Sequence, residues 1–281
     1  MESKYALQVP PPPPSPTRKS WGRLRATIAG FGEMYDWRTR LELLRIKLAS
    51  RLGRKRNDAV GLRLKELDGR RLYVRPGTPD MNTIVLNYVQ GAHLPPPEFI
   101  DRDLLQICEL GSQIGTGLAG LAARYPRARV LGVEPDPANA ALARRNVAAF
   151  GPRCQVIEAA IWDRETELTI EGDWASGYTA RESRPDDPPD RRVHGIGVDR
   201  LLSEHMPEGS IDYVVMNLER TEPRVLAAAA SWAPRVASIR CEIYPGRGFE
   251  GEEAVALLED LGFEAWWEPS PSLGWAFGVR R

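Results

Sequence analysis

The residues best suited to chemistry in this chain lie between positions 104 and 134. An apolar run at residues 104–110 is followed by a glycine-rich turn, an alanine-rich segment, a second apolar run and Glu134. Glycines allow a sharp turn and a close approach of the backbone to a ligand, and a helix that starts there points free N–H groups into the crevice. A carboxylate at the tip of the next strand can accept both hydrogens of a ribose diol. The stretch therefore predicts a site for a nucleoside.

Two registers of the glycines fit such a ligand. In the first, Glu109, Gly111 and Gly115 form E-x-G-x-x-x-G, with Gly111 just beyond the strand. This register suits S-adenosylmethionine, which has no phosphate and whose methionine part lies over the loop. In the second, residues 115–120 spell G-x-G-x-x-G, the dinucleotide fingerprint of an NAD(P)-dependent oxidoreductase. We favour the first, because Glu109 can meet the methionine amino group and Glu134 follows Gly111 at the expected interval of roughly 20 residues.

Four ordered segments of the chain resemble the FkbM-type methyltransferases. The family's R-P-G-T-x-D is similar to V-R-P-G-T-P-D at residues 74–80, and its D-x-G-A-N-I-G to E-L-G-S-Q-I-G-T at residues 109–116. Its acidic-loop motif matches G-V-E-P-D-P-A-N at residues 132–139. Its I-D-x-x-K-I-D-I-E-G-x-E-x-x-V-L resembles I-D-Y-V-V-M-N-L-E-R-T-E-P-R-V-L at residues 211–226. The resemblance implies a Rossmann-like fold, S-adenosyl-L-methionine as cofactor and O-methylation of a hydroxyl on a sugar or secondary metabolite.

Two positions depart from the family pattern. Asn217 stands where the family usually has Asp, and Arg220 stands where it has Gly. Asparagine keeps hydrogen-bonding capacity but loses the charge, and arginine adds bulk and a cation. These changes leave the general base and the substrate contacts open, and they motivate a third possibility, a non-catalytic binding protein on the same fold.

Strand ends and motif positions together predict the cofactor contacts. In open α/β sheets the ligand lies beyond the carboxyl ends of the strands. Glu134 is expected to bind the ribose, and Trp162 or its neighbours to pack on the adenine. The full predicted set is Asp80, Glu109, Gly111, Ser112, Gln113, Gly115, Thr116, Glu134, Pro135, Ala160, Trp162 and Asn217.

The proton of a hydroxyl acceptor has three candidate recipients: Glu219, His93 and His194. Methyl transfer from a sulfonium is an in-line displacement in which positioning meets much of the barrier. A base near the hydroxyl increases the reaction rate by roughly 10²–10⁴-fold. Strand alternation places Glu219 on the same side as Asn217, so we expect Glu219 to lie nearest the acceptor. No His or Cys spacing indicates a metal site.

Strands and helices alternate from residue 106 onward. This alternation predicts a doubly wound, Rossmann-like seven-stranded sheet whose last strand is antiparallel. Residues 181–192 have the composition of an exposed, mobile loop. Strands are expected at residues 106–110, 129–134, 155–161, 213–218, 238–244, 264–267 and 275–279, and helices at residues 116–124, 137–150, 199–205, 223–232 and 251–261.

The N-terminal part divides into a disordered Pro-rich tail (residues 1–19) and a helical segment with a β-hairpin (residues 20–100), ahead of an S-adenosylmethionine-binding domain (residues 101–281). The hairpin pairs residues 60–66 with 71–75 around Asp68-Gly69. Leucines 41, 44, 48 and 52 recur at helical spacing in a predicted helix over residues 20–53. Such a basic helix covers a domain face or lies on a membrane or nucleic acid, and we favour the covering role.

The net charge of zero hides an asymmetry along the chain. Residues 17–71 carry 16 Lys/Arg and 6 Asp/Glu, a balance of +10, whereas residues 72–281 carry 21 and 31, a balance of −10. The sequence has no transmembrane stretch and no apolar signal-peptide core, so a cytoplasmic location is expected. The expected partner is a small hydroxylated acceptor, with no nucleic acid, and the oligomeric state is open.

Overall fold

The computed structural model describes residues 32–51, 58–172, 178–246, 248–269 and 273–280. The predicted Pro-rich tail at residues 1–19 and the first part of the predicted helix over residues 20–53 lie outside these ranges. Within these ranges, no helix is long and apolar enough to cross a membrane. The elements before the main sheet are α1 (Trp37–Arg51), β1 (Val60–Arg63), β2 (Arg71–Val74), α2 (Asp80–Ile84), a π-helical turn (Val85–Val89) and α3 (Pro97–Ile100).

The remaining elements alternate between strands and helices. They are β3 (Gln106–Leu110), α4 (Thr116–Arg124), β4 (Arg129–Glu134), α5 (Pro137–Val147), β5 (Cys154–Glu158), β6 (Ala160–Trp162), β7 (Thr166–Glu171), β8 (Thr179–Glu182), β9 (Arg192–Gly197), α6 (Val198–His205), β10 (Tyr213–Met216), α7 (Glu222–Ala227), β11 (Ser238–Ile243), α8 (Gly251–Asp260), β12 (Glu264–Glu268) and β13 (Gly274–Val279).

In the described part of the chain, seven strands form the main sheet in the order β12-β13-β11-β10-β3-β4-β5. The five strands from β11 to β5 run parallel, and β13 is antiparallel to both β11 and β12. The predicted seven-stranded sheet with an antiparallel last strand is confirmed. Strands β10 and β11 are buried along their whole length, as parallel strands covered on both faces must be.

Two predicted helices end earlier than expected. Helix α5 ends at Val147, and the chain then forms short 3₁₀ turns within Ala148–Arg153 that are interrupted at Gly151, next to Pro152. Helix α7 stops at Ala227, and two 3₁₀ turns, Ala229–Ser231 and Ala233–Arg235, replace the rest of the predicted helix. A proline early in the second of these turns restricts the preceding residue and favours such a break.

A second sheet, of four strands among the described residues, has the order β6-β9-β7-β8. The single strand predicted at residues 155–161 is therefore wrong: the chain leaves the main sheet after Glu158 and β6 joins the second sheet. The loop predicted at residues 181–192 is exposed over most of its length, as expected, but its ends belong to β8, to a 3₁₀ turn at Pro189–Arg191 and to β9. Arg181 lies 2.6 Å from Asp187, and Asp187 also accepts a bond from the backbone N–H of Arg184. These contacts order a segment that composition alone marks as a loop.

The N-terminal hairpin and α1 share one apolar cluster with the helices of the main domain. Strands β1 and β2 pair antiparallel, which confirms the predicted hairpin with a first strand shorter than expected. Leu43 and Ile46 of α1 are each only 2% exposed and pack in this cluster. Leu41 and Leu44 are 38% and 53% exposed. Leu41 and Leu44 of the predicted leucine stripe therefore do not cover the core, because a different face of α1 does so, and the side chains of Leu48 and Leu52 lie outside the described residues.

Candidate functional site

A cavity of about 450 Å³ opens at the carboxyl ends of the parallel strands, where ligands bind in open α/β sheets. A smaller cavity of about 60 Å³ lies beside it and shares several of its walls. Of the predicted residues, the large cavity is lined by Gly111, Gln113, Glu134, Pro135, Ala160, Asn217 and Glu219. The small cavity is lined by Glu109, Gly111, Ser112, Gln113, Thr116 and Asn217.

Gly111 begins the turn after β3 and allows the next strand to approach closely. Its φ is +88°, and a Cβ built at this position would lie 1.7 Å from the backbone oxygen of Asn217. No other residue fits there without moving the end of β10. Gln113 in the same loop also has positive φ, at +49°. The loop therefore curves tightly between the ends of β3 and β10 and brings its backbone to both cavities.

The glycines of the dinucleotide register serve helix packing. A Cβ on Gly117 would lie 2.1 Å from Glu109 Oε1, and one on Gly120 would lie 2.6 Å from His93 Nε2. A Cβ on Gly115 would lie 3.0 Å from the Cα of Ala143 in α5. None of the three lines either cavity. The first register, with Gly111 at the ligand, is therefore the one that the geometry favours.

Glu134 at the end of β4 is buried and held by three donors. Its Oε2 accepts from the backbone N–H of Gln113 at 2.9 Å. Its Oε1 accepts from the backbone N–H of Asp136 and from Asn139 Nδ2, both at 3.1 Å. Burial raises the pKa of Glu134 to about 7, and these donors oppose that rise. The carboxylate therefore stands fixed at the cavity wall.

A chain of hydrogen bonds extends from Glu134 to Asp80. Asn139 Oδ1 accepts from Arg75 Nη2 at 2.6 Å, and Arg75 makes a bidentate pair with Asp80 through Nε at 2.8 Å and Nη2 at 3.0 Å. Asp80 is fully buried and does not line either cavity. Its prediction as a direct cofactor contact is therefore wrong. It positions Arg75, which in turn orients Asn139 and Glu134.

The small cavity contains several buried polar atoms that have no hydrogen-bond partner among the described residues: Glu109 Oε2, Asn217 Oδ1, Arg240 Nε and Nη2, and Glu242 Oε2. The backbone N–H of Leu118 donates to the Glu109 carboxylate. Burial raises the pKa of Glu109 to about 8. Arg240 Nη1 donates to the carbonyls of Gly91 and Leu94. Buried polar atoms without partners cost stability, so this cluster is suited to a ligand that carries both charges.

Glu219 follows β10 in a strained turn at the other end of the large cavity. Glu219 and Arg220 have φ values of +50° and +87°. The side chain of the buried Glu222 accepts from the backbone N–H of Leu218 at 2.8 Å and so holds this turn. Tyr244 donates to Glu219 Oε1 at 3.3 Å. Glu242 lines both cavities, and burial raises its pKa well above its ordinary value.

Three predicted residues lie away from the site. His93 is buried beside Glu66 and Tyr88, and His194 is exposed on β9 near Glu165, so neither can reach an acceptor. Trp162 packs in the apolar cluster of the second sheet, with the guanidinium of Arg224 4.6 Å from its ring centroid. The predictions of His93 and His194 as bases and of Trp162 as an adenine contact are therefore wrong.

Four residues of the site were missed from the sequence: Tyr178, Arg240, Glu242 and Tyr244. Arg240 and Glu242 alternate with apolar residues in S-I-R-C-E-I, a pattern typical of a strand with one solvated face. Both faces of β11 are in fact covered, so its charged positions turn to the cavities. No three His, Cys, Asp or Glu side chains among the described residues lie close enough together to hold a metal ion.

The comparisons with known proteins point to one family. The model of the methyltransferase FkbM domain matches residues 111–265, more than half of the chain. No protein of curated function matches with significant similarity.

Several solved structures have a similar fold. A precorrin-6y C5,15-methyltransferase from Geobacter metallireducens is 14% identical, with 64% of this chain and 82% of that one covered at a TM-score of 0.41. Fibrillarin from Aeropyrum pernix, solved with S-adenosyl-L-methionine bound, is 13% identical over 63% and 67% of the two chains, with a TM-score of 0.40. An O-methyltransferase family protein from Burkholderia thailandensis is 13% identical over 72% and 58%, with a TM-score of 0.42.

Proposed function

The chain belongs to the FkbM methyltransferase family, and we propose that it methylates a hydroxyl group of a sugar or secondary metabolite with S-adenosylmethionine. The observation that carries the proposal is the large cavity at the strand ends, with Glu134 at one wall and the Glu219–Tyr244 pair at another. A nucleoside and a small acceptor would meet between these walls. Bound S-adenosylmethionine supplies an electrophilic methyl group on a sulfonium.

Each part of the cofactor has residues that suit it. Glu134 accepts from the ribose hydroxyls, and the apolar wall at Pro135, Ala160 and Ile161 suits the adenine. Glu109 and Asn217 offer unpaired oxygens to the methionine ammonium. Arg240 offers two unpaired N–H groups to the carboxylate, which would satisfy a guanidinium that burial otherwise penalises.

Glu219 is the residue that we propose for the acceptor hydroxyl. It would accept the hydroxyl proton while the new C–O bond replaces the methyl C–S bond of the sulfonium, with S-adenosylhomocysteine as the leaving group. Tyr244 donates to Glu219 and orients it, and Glu222 keeps the turn in place. Asn217 cannot take a proton at neutral pH, so its contribution is a hydrogen bond.

The charge of the large cavity favours an uncharged acceptor. Among the described residues that line it are three carboxylates, Glu134, Glu219 and Glu242, and no Lys, Arg or His. A phosphorylated or carboxylated acceptor would lie close to the Glu219 carboxylate and would find no Lys, Arg or His in the lining to balance its charge. A neutral sugar hydroxyl or an uncharged metabolite is therefore the acceptor class that we propose. A cytoplasmic location, a role in secondary metabolism and the absence of a nucleic-acid partner stay predictions from the sequence.

A screen with S-adenosylmethionine that carries a labelled methyl group tests the proposal. Neutral hydroxylated sugars and their phosphorylated counterparts form matched pairs of acceptors. We expect label transfer to a neutral member, and preference for the phosphorylated member would contradict the proposed acceptor class. A chain that binds S-adenosylhomocysteine but transfers no label to any hydroxyl would favour the non-catalytic alternative, which Asn217 and Arg220 motivate.

A further inference from the structure

Helix α1 has two apolar faces on opposite sides, and only one of them is covered. Leu43 and Ile46 are buried in the cluster with the hairpin. Trp37, Leu41 and Leu44 are 68%, 38% and 53% exposed. At 3.6 residues per turn, positions 37, 41 and 44 lie within one narrow stripe, nearly opposite positions 43 and 46. We call the stripe of Trp37, Leu41 and Leu44 the outer face of α1.

Basic side chains border the outer face on both sides. Arg38 and Arg45 are placed along one border of the stripe, and Arg40 along the other. The guanidinium of Arg38 lies 5.6 Å from the centroid of a ring of Trp37, and Arg45 reaches Glu42 only at 3.7 Å with its side chain largely exposed. The part of this region that the structure describes, residues 32–51 and 58–71, carries 9 Lys/Arg against 6 Asp/Glu. The outer face therefore combines exposed Trp and Leu with a positive surround.

We propose that the outer face of α1 docks on an anionic phospholipid surface. Trp37, Leu41 and Leu44 enter the boundary between headgroups and acyl chains, and the flanking arginines meet the lipid phosphates. A helix with Trp and Leu on one face and Lys or Arg beside it lies in the plane of such an interface. Each basic residue near the membrane adds attraction that acts within a Debye length.

The positive charge beside the outer face favours an anionic bilayer over a second copy of the chain as the binding partner. A dimer formed through the outer face would bring the exposed Arg38, Arg40 and Arg45 of one copy close to those of the other, whereas residues 37–46 contain one acid, Glu42. Such a contact repels, whereas an anionic bilayer attracts the same segment. The proposal does not depend on the reaction, because no residue of the outer face lines either cavity.

Co-sedimentation of the full chain with vesicles tests the proposal. We expect binding to vesicles of phosphatidylglycerol and phosphatidylcholine that weakens with added salt, and much weaker binding to phosphatidylcholine alone. The double variant Trp37→Gln/Leu44→Gln should bind at least roughly tenfold more weakly, since each side chain loses apolar burial in the interface. Leu105→Gln is the matched control, because Leu105 is 45% exposed and lies outside α1. It should bind like the parent.

Two results would overturn the proposal. The first is a parent protein that does not bind phosphatidylglycerol vesicles at low salt. The other is a Trp37→Gln/Leu44→Gln variant that binds them as the parent does. Sedimentation equilibrium of the same proteins detects the rival occupant: a parent dimer that this double variant converts to monomer assigns the outer face to a contact between copies. Melting curves show whether the variants stay folded, as the exposure of both side chains leads us to expect.

Discussion

If Glu134 binds the ribose as proposed, cofactor affinity should depend on pH. Its pKa is raised to about 7, and that of Glu109 to about 8, because both carboxyls are buried. A ribose diol and an ammonium group both donate hydrogen bonds, so they favour the ionised carboxylates and lower both pKa values on binding. S-adenosylhomocysteine should therefore bind at least about tenfold more tightly at about pH 8 than at about pH 6. Isothermal titration at the two pH values measures this, and equal or tighter binding at the lower pH would contradict it.

The variant Glu219→Gln tests whether Glu219 acts as a general base or only positions the acceptor. The substitution keeps the shape of the side chain and removes its charge. If Glu219 takes the proton, kcat should fall by roughly 10²-fold or more while affinity for S-adenosylhomocysteine stays nearly the same. Turnover of a labelled acceptor measures the first quantity and calorimetry the second. A parent-like rate across neutral pH would mean that positioning alone carries the reaction.

Asn217→Asp is the companion variant, and a higher rate would show that the asparagine weakens activity.

At the scale of elements, the turn after β3 permits a matched pair of substitutions. Gly111 and Gly77 have nearly equal φ values, +88° and +80°. A Cβ on Gly111 would meet the Asn217 backbone oxygen, whereas one on Gly77 would meet nothing within 4 Å. Gly77→Ala should cost about 1 kcal/mol of unfolding free energy, and Gly111→Ala more than about 3 kcal/mol because the end of β10 must also move. Denaturant melts measure the unfolding free energy of both variants. Equal losses would contradict the close approach of Gly111 to the Asn217 backbone oxygen.

For Arg220 we expect that a substitution stabilises the protein, in contrast to the two glycine substitutions. It has a φ of +87° in the turn after β10, at the position where the family has glycine. A non-glycine residue in this region costs about 1–2 kcal/mol, and glycine loses about 0.5–1 kcal/mol through its greater freedom in the unfolded chain. Arg220→Gly should therefore stabilise the protein by about 0.5–1 kcal/mol. A lower midpoint in urea than the parent's would show that the arginine makes a stabilising contact.

The main sheet was predictable because its strands are continuous apolar runs separated by helical segments. The second sheet was not, because β8 and β9 carry Arg181 and Arg192, and their connection is rich in Pro and Asp. Ion pairs between distant residues, such as Arg181 with Glu171, order this region and leave no local pattern in the sequence. Spacing pointed to Glu109, Gly111 and Glu134, which line the cavities, and their contacts with a cofactor stay a prediction. Glu242 was missed because a charged position in a strand is more often solvated.

At the scale of the whole molecule, the two parts of the N-terminal region should respond differently to truncation. Residues 1–19 lie outside the described residues and carry none of the four family-like segments, so a chain starting at Ser20 should still bind S-adenosylhomocysteine. Removal up to Gly53 takes away Leu43 and Ile46 and exposes Leu62 and Leu64 of the shared cluster. That chain should aggregate. Gel filtration and calorimetry distinguish the two, and a soluble, binding-competent chain without α1 would contradict the shared core.

The central claim is that the cavity beyond β3, β4 and β10 binds S-adenosylmethionine through the register of Gly111 and Glu134. Isothermal titration of the full chain with S-adenosylhomocysteine, with NAD titrated in parallel, tests it most directly. The structure predicts saturable one-to-one binding of S-adenosylhomocysteine and none of NAD. Binding of NAD without S-adenosylhomocysteine, or binding of neither ligand, would contradict the account.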